Sequence, residues 1–495
     1  MATYDSTYSG RGGRPDLRDR PMHLHWWAVF GGGVVGWGLL FFLSLLGLTI
    51  GLAAIEPYSA RPASGIDVGS AVWGLAALVL SSIVGAYLVV RIAGERRRRE
   101  AALHAVVSWG LSMIAGALLT ALIELSDFLS YGTTAQVARL RGAGEERRAG
   151  GLAAQALWLA AGTGAAVALL VIAIASPAAR VLGGAGEVHD LTVTYARIAA
   201  LGIPFMLVAL AGEGYLRGVG NLRTPLIVLV ACNALNVVLE VVFVYGFGWG
   251  LEGSAWGTVI AQALMGIAFA RWMIAAPADS RRPDVERMRP LVRMGGHLTL
   301  RTGALLAAFT LASALAARIG TAALGAHQIA FQLFLFLALV LDAVAIAGQI
   351  IVARALGRGS VHEAVAASRR MMLWALAAGV LFGVVLLAGI EVIPAAFSDD
   401  PAVRAAARDA WPLFALMQPA AAVVFALDGI LIGAGDTRFL AWAMVAALAV
   451  FVPLAFVATD LTGLWAALDV LMVARLVTAG ARFAGRRWAV VGAMT

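Results

Sequence analysis

Long apolar runs alternate with short polar segments along most of this 495-residue chain. An apolar run of about 20 residues crosses the hydrocarbon core of a bilayer as a helix. The pattern predicts about thirteen membrane helices, at residues 26–55, 68–90, 104–137, 152–175, 190–217, 222–246, 253–276, 290–317, 322–353, 364–393, 403–431, 437–459 and 463–482. We therefore expect an all-α polytopic membrane protein.

Composition agrees with this expectation and excludes several classes of protein. The chain is 61% hydrophobic and only 13% charged, with a mean hydropathy of +0.86, which a soluble protein would not tolerate. Its single cysteine, Cys232, rules out an internal disulfide. The net charge of +8 comes from arginines scattered between apolar runs, so no nucleic-acid partner is expected. The sequence holds no nucleotide-binding, metal-ligand or nucleophile motif, so we expect neither an enzyme nor a cofactor.

An ungapped repeat relates two parts of the chain at a fixed offset of 215 residues. In its longer segment, Pro204, Gly214, Leu216, Gly218, Gly220 and Arg223 recur as Pro419, Gly429, Leu431, Gly433, Gly435 and Arg438. In a second segment, Asp127 recurs as Asp342, and Val137-Ala138-Arg139 recurs as Val352-Ala353-Arg354. Two similar halves in a membrane protein indicate a transporter whose substrate site lies between them.

The arginines predict the orientation of the chain. They concentrate in alternate loops, as Arg139, Arg141, Arg147 and Arg148; Arg217 and Arg223; Arg281, Arg282, Arg287, Arg289 and Arg293; Arg354, Arg358, Arg369 and Arg370; Arg438; and Arg486 and Arg487. The intervening loops hold little beyond Arg180, Arg318 and Arg404. By the positive-inside rule the first set and the C-terminus are cytoplasmic. Both halves then have the same orientation, as two parallel lobes related by an axis along the membrane normal.

Several motifs resemble those of one transporter family. They are Tyr131-Gly132-Thr133-Thr134, Gly214-Tyr215-Leu216-Arg217-Gly218, Asn233 with Asn236, Val244-Tyr245-Gly246, Gly253-Ser254-Ala255 with Gly257-Thr258, and Asp428-Gly429 with Gly433-Ala434-Gly435-Asp436-Thr437-Arg438. Together they make residues 122–487 similar to the multidrug and toxic compound extrusion (MATE) transporters, in particular the DinF-like branch. The resemblance implies two six-helix lobes, alternating access and a multi-pass protein of the bacterial inner membrane.

The front of the chain departs from that family. Residues 22–120 resemble small uncharacterised bacterial membrane proteins, through His25-Trp26-Trp27, Leu45-Leu46-Gly47-Leu48 and Ala102-Leu103-His104. The cation-binding aspartate of the usual first helix is missing. We interpret the chain as a fusion with its junction near Ala121. The expected divisions are a disordered tail at 1–24, an atypical membrane segment at 25–120, an N-lobe at 121–276 and a C-lobe at 277–495.

The topology of the predicted helix at 104–137 stays open. A single crossing places Arg96 to Arg99 outside, against the positive-inside rule, whereas the alternative is a hairpin that folds back within the membrane. We favour one long helix, because the repeat aligns it with the helix at 322–353.

An intramembrane carboxylate near residue 240 is the first candidate for ion coupling. Asn236 and Glu240 are one helical turn apart, and Thr258 follows on the next helix. An ionisable group in an apolar run is costly and persists mainly where it has a function. The resemblance implies that these three residues form the N-lobe cation site, and Asp127 is a candidate substitute for the missing aspartate. The alternative is that Glu240 only hydrogen-bonds a neighbouring helix.

A second group of polar residues is predicted at the substrate cavity or at the contact that closes the lobes. Its members are Glu213, Asp342, Asp428, Arg301 and Gln328. Glu213 and Asp428 are related by the repeat, and the alternative for them is pairing with loop arginines such as Arg217 or Arg438. Arg301 implies a partner carboxylate or an anionic substrate, or else extends toward the cytoplasmic surface. Gln328 lines the C-lobe wall or joins two helices by hydrogen bonds.

These features and the resemblance lead to three functional hypotheses. The first is secondary active efflux of organic cations or amphipathic small molecules by antiport with H⁺ or Na⁺, by a monomer in the lipid bilayer. The second is a flippase for a lipid-linked oligosaccharide. The third is a non-transporting fusion product whose coupling site is broken.

Overall fold

The computed structural model of this chain describes residues 128–181 and 187–492, and the regular structure within them is helical. The helices are α1 (Phe128–Gly142), α2 (Glu146–Val181), α3 (Glu187–Ala200), α4 (Ile203–Gly218), α5 (Arg223–Glu240) with a π-helical turn (Val241–Gly246), α6 (Gly250–Ala275), α7 (Val285–Ile319), α8 (Thr321–Gly357), α9 (Val361–Ala388), α10 (Val392–Phe397), α11 (Pro401–Gly433), α12 (Thr437–Val457) and α13 (Leu461–Ala484).

Ten spans in the described residues are long and apolar enough to cross a membrane, which confirms the predicted all-α polytopic class. Two predicted helices differ in detail. The helix predicted at 190–217 is interrupted at Leu201 and Gly202, just before Pro204, whose ring cannot continue the preceding hydrogen-bond ladder. The helix predicted at 364–393 ends at Ala388, and the short α10 follows it. The predictions for residues 1–127, Asp127 included, lie outside the described residues.

Equivalent turns confirm the internal repeat. Gly220 and Gly435 end α4 and α11 with φ of 83° and 82°, in the left-handed region that glycine adopts without steric cost. Each turn is closed in the same way, since Asn221 N donates to Leu216 O and Asp436 N donates to Leu431 O, both at 2.9 Å. These bonds satisfy carbonyl groups that the end of a helix leaves open.

Helix packing within each half repeats as well. Gly214 of α4 lies against the backbone of Ser130, and Gly429 of α11 lies against the backbone of Ala345, 215 residues later in both cases. A side chain at either glycine would overlap the facing carbonyl oxygen. Small residues therefore set the close helix approach in both lobes.

The two lobes meet where α1 and α8 end. Gly142 lies against the backbone of Arg354, and its repeat partner Gly357 lies against the backbone of Arg139. The contact is reciprocal, as a pseudo-two-fold axis requires. Equivalent C-terminal ends touch, so the two lobes run in the same direction, which confirms the parallel repeat. We refer to α1–α6 as the N-lobe and to α7–α13 as the C-lobe.

Candidate functional site

A polar cluster in the N-lobe surrounds Glu240, the last residue of α5. Glu240 is only 6% exposed, and its carboxylate accepts a hydrogen bond from Ser254 Oγ at 2.7 Å. Thr258 Oγ1 donates to the Ser254 carbonyl at 3.0 Å and accepts from Asn236 Nδ2 at 3.4 Å. The structure thus brings Asn236, Glu240 and Thr258 together. We call these three residues and Ser254 the N-lobe cluster.

The local backbone explains how Glu240 comes to lie against α6. At Glu240 the α-helix changes to a π-helical turn, a deformation often found at functional sites. Gly257 of α6 faces the Glu240 backbone, so the two helices approach closely. In the described part of the chain no basic side chain forms an ion pair with Glu240. Among the described residues, the buried Glu240 carboxylate therefore has no neutralising charge.

A second cluster occupies the C-lobe beside the junction of the lobes, and we call it the central cluster. Asp428 of α11 is 5% exposed. It accepts from Arg475 Nη2 of α13 at 2.7 Å and also from Arg301 Nη2 of α7. Asp342 of α8 accepts from the hydroxyl of Tyr131, which belongs to α1 in the other lobe, at 2.7 Å. The cluster comprises these five residues.

The remaining candidates are placed differently. Glu213 forms an ion pair with Arg217 one turn later, which is the pairing named as the alternative to a functional role. Asp428 does not pair with a loop arginine, because its partners lie inside the bundle. Gln328 is half-buried on α8, about 21 Å along the helix from Asp342, so the structure does not bring these two residues together.

Sequence reasoning missed three members of these clusters. Arg475 lies in an apolar run, as Arg301 does, and the same argument about intramembrane charge identifies it. Ser254 lies one turn before Thr258 on the same face of α6, a spacing that predicts a shared site. Tyr131 belongs to a motif of the resemblance, but its contact with the other lobe depends on packing between helices distant in sequence.

A cavity of about 290 Å³ separates the two lobes at another place. It lies between α2 and α7 and is lined by Leu159, Thr163, Val292, Gly295, Gly296 and Thr299. None of these lining residues from the described part of the chain is ionisable.

Two parallel, pseudo-symmetric helical lobes with buried ionisable groups inside and between them define a two-lobed membrane transporter architecture. The particular family follows from the sequence, because the MatE family model matches residues 123–242 and 304–457. The chain belongs to the MatE family. This finding confirms the resemblance seen in the motifs.

Individual relatives agree. The chain is 34% identical to Protein DETOXIFICATION 44, chloroplastic, from Arabidopsis thaliana over 298 residues, which cover 59% of this chain and 57% of that protein. It is 29% identical to DNA damage-inducible protein F of Escherichia coli K12 over 327 residues, or 63% of this chain and 70% of the relative. The match thus spans little more than half of the plant relative.

A solved structure confirms the fold. A mutant of the Vibrio cholerae MATE transporter VcmN superposes with a TM-score of 0.71 over 93% of this chain and 99% of that one, at 16% sequence identity.

Proposed function

We propose that this chain exports organic cations or amphipathic small molecules across a bacterial inner membrane in exchange for protons. The carrying observation is the burial of Glu240 without a neutralising partner in the part of the chain that the structure describes. Glu213 and Asp428 are equally buried, but each is paired with arginine. In the described residues the Glu240 carboxylate instead accepts a hydrogen bond from the uncharged hydroxyl of Ser254.

An unneutralised buried carboxylate has two stable conditions. It is protonated while the site is dry, or it is ionised when water or a cation reaches it. Moving between these conditions releases and takes up one proton, which is the event that antiport requires. The N-lobe cluster is therefore our candidate for ion coupling, with Asn236 and Thr258 orienting Ser254 and the helix that carries it.

The central cluster is our candidate for substrate binding. Asp342 is held across the lobe junction by the Tyr131 hydroxyl. When the lobes separate, this hydrogen bond must break, and a carboxylate is left facing the opening. An organic cation is attracted to such a group, whereas Asp428 stays neutralised by Arg301 and Arg475.

Carboxylate-specific loss of transport tests the coupling proposal. In proteoliposomes with an imposed pH gradient, we expect Glu240→Gln to abolish export of a cationic dye while insertion into the membrane is retained. The matched control is Glu252→Gln, because Glu252 is exposed at the start of α6 and lies outside the N-lobe cluster. Normal export by Glu240→Gln would move the coupling site elsewhere.

One observation favours a second candidate function, a flippase for a lipid-linked oligosaccharide. Two guanidinium groups share the single carboxylate of Asp428, and an anionic phosphate group of such a lipid is able to replace that carboxylate as their partner. In the same proteoliposomes a flippase would move a fluorescent anionic lipid between leaflets without moving the dye. The third hypothesis, a non-transporting fusion product, predicts that neither probe moves.

A further inference from the structure

The interior of the C-lobe holds four buried polar atoms without a hydrogen-bond partner in the described residues. They are His327 Nδ1, Gln418 Oε1, Trp465 Nε1 and Asp469 Oδ1. The side chains of His327, Gln418 and Trp465 are fully buried. An unsatisfied buried polar group destabilises the fold, so four such groups in one region need a physical explanation.

Packing places these groups near one another. The ring of Trp465 lies 5.6 Å from the ring of His327 and 5.2 Å from the ring of Phe414, measured between centroids. Two contacts show that α11 and α13 are parallel. Phe414 of α11 meets Trp465 of α13, and later in both helices Asp428 of α11 pairs with Arg475 of α13. One turn beyond the Phe414–Trp465 contact, Gln418 and Asp469 therefore stand at the same level of the lobe.

Both residues at this level present acceptors, and no donor reaches them. The Gln418 amide nitrogen already donates to the Phe414 carbonyl at 2.9 Å, which leaves its oxygen free. Asp469 Oδ1 is an acceptor as long as the carboxylate is ionised. Two unsatisfied acceptors are explained by one missing hydrogen. A proton on Asp469 supplies it, because a carboxylic acid becomes a donor.

The internal repeat gives an independent reason to assign a role to this position. Subtracting the offset of 215 from Asp469 gives Ser254, the residue that holds Glu240 in the N-lobe cluster. The C-lobe equivalent of Glu240 is Ala455, which is buried and carries no acid. Each lobe thus places one carboxylate in the same region: the buried Glu240 on α5 in the N-lobe, and the half-buried Asp469, whose Oδ1 atom is buried, on α13 in the C-lobe.

The charged groups on the surrounding helices leave Asp469 available. Arg301 of α7 and Arg475 of α13 are both committed to Asp428 of α11. On α12 the charged residue is Arg438, at the end far from Asp469. His327 of α8 is the titratable neighbour that no described carboxylate pairs with.

We propose that Asp469 is a proton-binding site of the C-lobe, distinct from Glu240, with Gln418 Oε1 as the acceptor for the acid hydrogen. One proton from the solution adds to the carboxylate, and no other bond forms or breaks. The role of this second proton in transport rests on the proposed antiport, but proton binding itself does not.

Infrared pH-difference spectra of the full-length protein in detergent test the proposal without any transport. We expect the carboxylic-acid C=O band of the wild type to lose one component in Asp469→Asn and to keep it in Asp409→Asn, a matched control on the exposed face of α11. Gln418→Leu should shift that component, because its hydrogen bond is lost, and a merely structural aspartate would give no such shift.

Three outcomes would overturn the proposal. They are an Asp469→Asn spectrum identical to that of the wild type, a component unmoved by Gln418→Leu, and loss of the component when Na⁺ is added to the wild type at constant pH, which would indicate a sodium site. If Asp469→Asn does not fold, the Gln418→Leu shift alone decides. Proteoliposomes separate this proposal from the proposed function. If the protein exports no dye but its C=O band still has a component that depends on Asp469, the proposed antiport is wrong and the proposed proton site is supported.

Discussion

Replacing Arg139 with glutamine removes the side chain that fastens the two lobes together at their arginine-rich ends. Arg139 of the N-lobe is 2% exposed. It donates to the Ala434 carbonyl at the end of α11 at 3.0 Å and to the Gly492 carbonyl at 2.6 Å, and it also donates to the Val490 carbonyl. In the repeat-related contact, Arg354 of the C-lobe donates to the Gly218 carbonyl at 3.1 Å.

The expected magnitude follows from these bonds. A hydrogen bond that involves a charged group contributes about 1.5–3 kcal/mol. When the lobes separate, water replaces part of the hydrogen bonding of the Arg139 guanidinium. We therefore count the free energy of one of its three hydrogen bonds. A loss of about 2 kcal/mol changes the ratio of closed to open lobes by about 30-fold, since 1.4 kcal/mol corresponds to tenfold. Arg141→Gln is the control, because the ion pair that Arg141 forms within the described residues, with Glu146, is exposed, and such pairs contribute about 0–1 kcal/mol.

Pulsed EPR on a Cys232→Ser background measures this ratio. Labels at Arg147 and His362 occupy repeat-equivalent, exposed positions in the two lobes, away from the close contact of Gly142 with Gly357. We expect Arg139→Gln to populate longer label distances, and Arg141→Gln to match the unmutated background. An unchanged distance distribution in Arg139→Gln would refute the view that this side chain holds the lobes together.

Two further predictions concern stability. In thermal unfolding, Gly429→Ala should destabilise the fold by about 1–3 kcal/mol, because the new methyl group overlaps the Ala345 carbonyl. The control Gly480→Ala should stabilise the fold by about 0.5–1 kcal/mol, because its methyl group meets nothing within 4 Å. Equal effects of the two substitutions would contradict the packing argument. Burial acts to raise the pKa of Asp279, but its hydrogen bond from Arg287 at 2.7 Å and further bonds outweigh burial and lower that pKa. The ionised Asp279 therefore stabilises its loop at a pH above the ordinary carboxyl pKa, and this stability is lost as the pH falls through the lower pKa of the folded state. The Tm difference between wild type and Asp279→Asn should accordingly vanish in acid. A Tm difference that does not change with pH would contradict this prediction.

Most of the architecture could be predicted from the sequence, because in a bilayer every apolar run must satisfy its backbone internally as a helix. The offset of 215 residues also related Gly220 to Gly435, and the structure shows that these glycines follow equivalent helices. The sequence analysis did not predict the break at Gly202. The repeat gives no signal for it, because the corresponding stretch before Pro419 continues as a helix within α11. Proline alone therefore does not decide whether a membrane helix stops, because its neighbours determine the outcome.

The candidate site could be predicted only where its members are close in sequence. Asn236 and Glu240 lie one turn apart on α5, and the resemblance implied that Thr258 of α6 lies beside them. In the structure these side chains and Ser254 form one hydrogen-bonded group. The partner of Asp342 is Tyr131, 211 residues away, and no periodicity encodes such a contact. The segment that follows α13 is a similar case, because Trp488 is buried against Phe483 only where the chain turns back after that helix.

Proton flux in proteoliposomes that contain the wild-type chain, with and without a lipophilic cation inside, tests the central claim most directly. If the chain is a proton-coupled exporter, the cation should accelerate proton entry and leave the vesicles at the same time, and both fluxes should be lost together in Glu240→Gln. Proton entry that does not depend on the cation, or cation exit that does not depend on the pH gradient, would contradict the account.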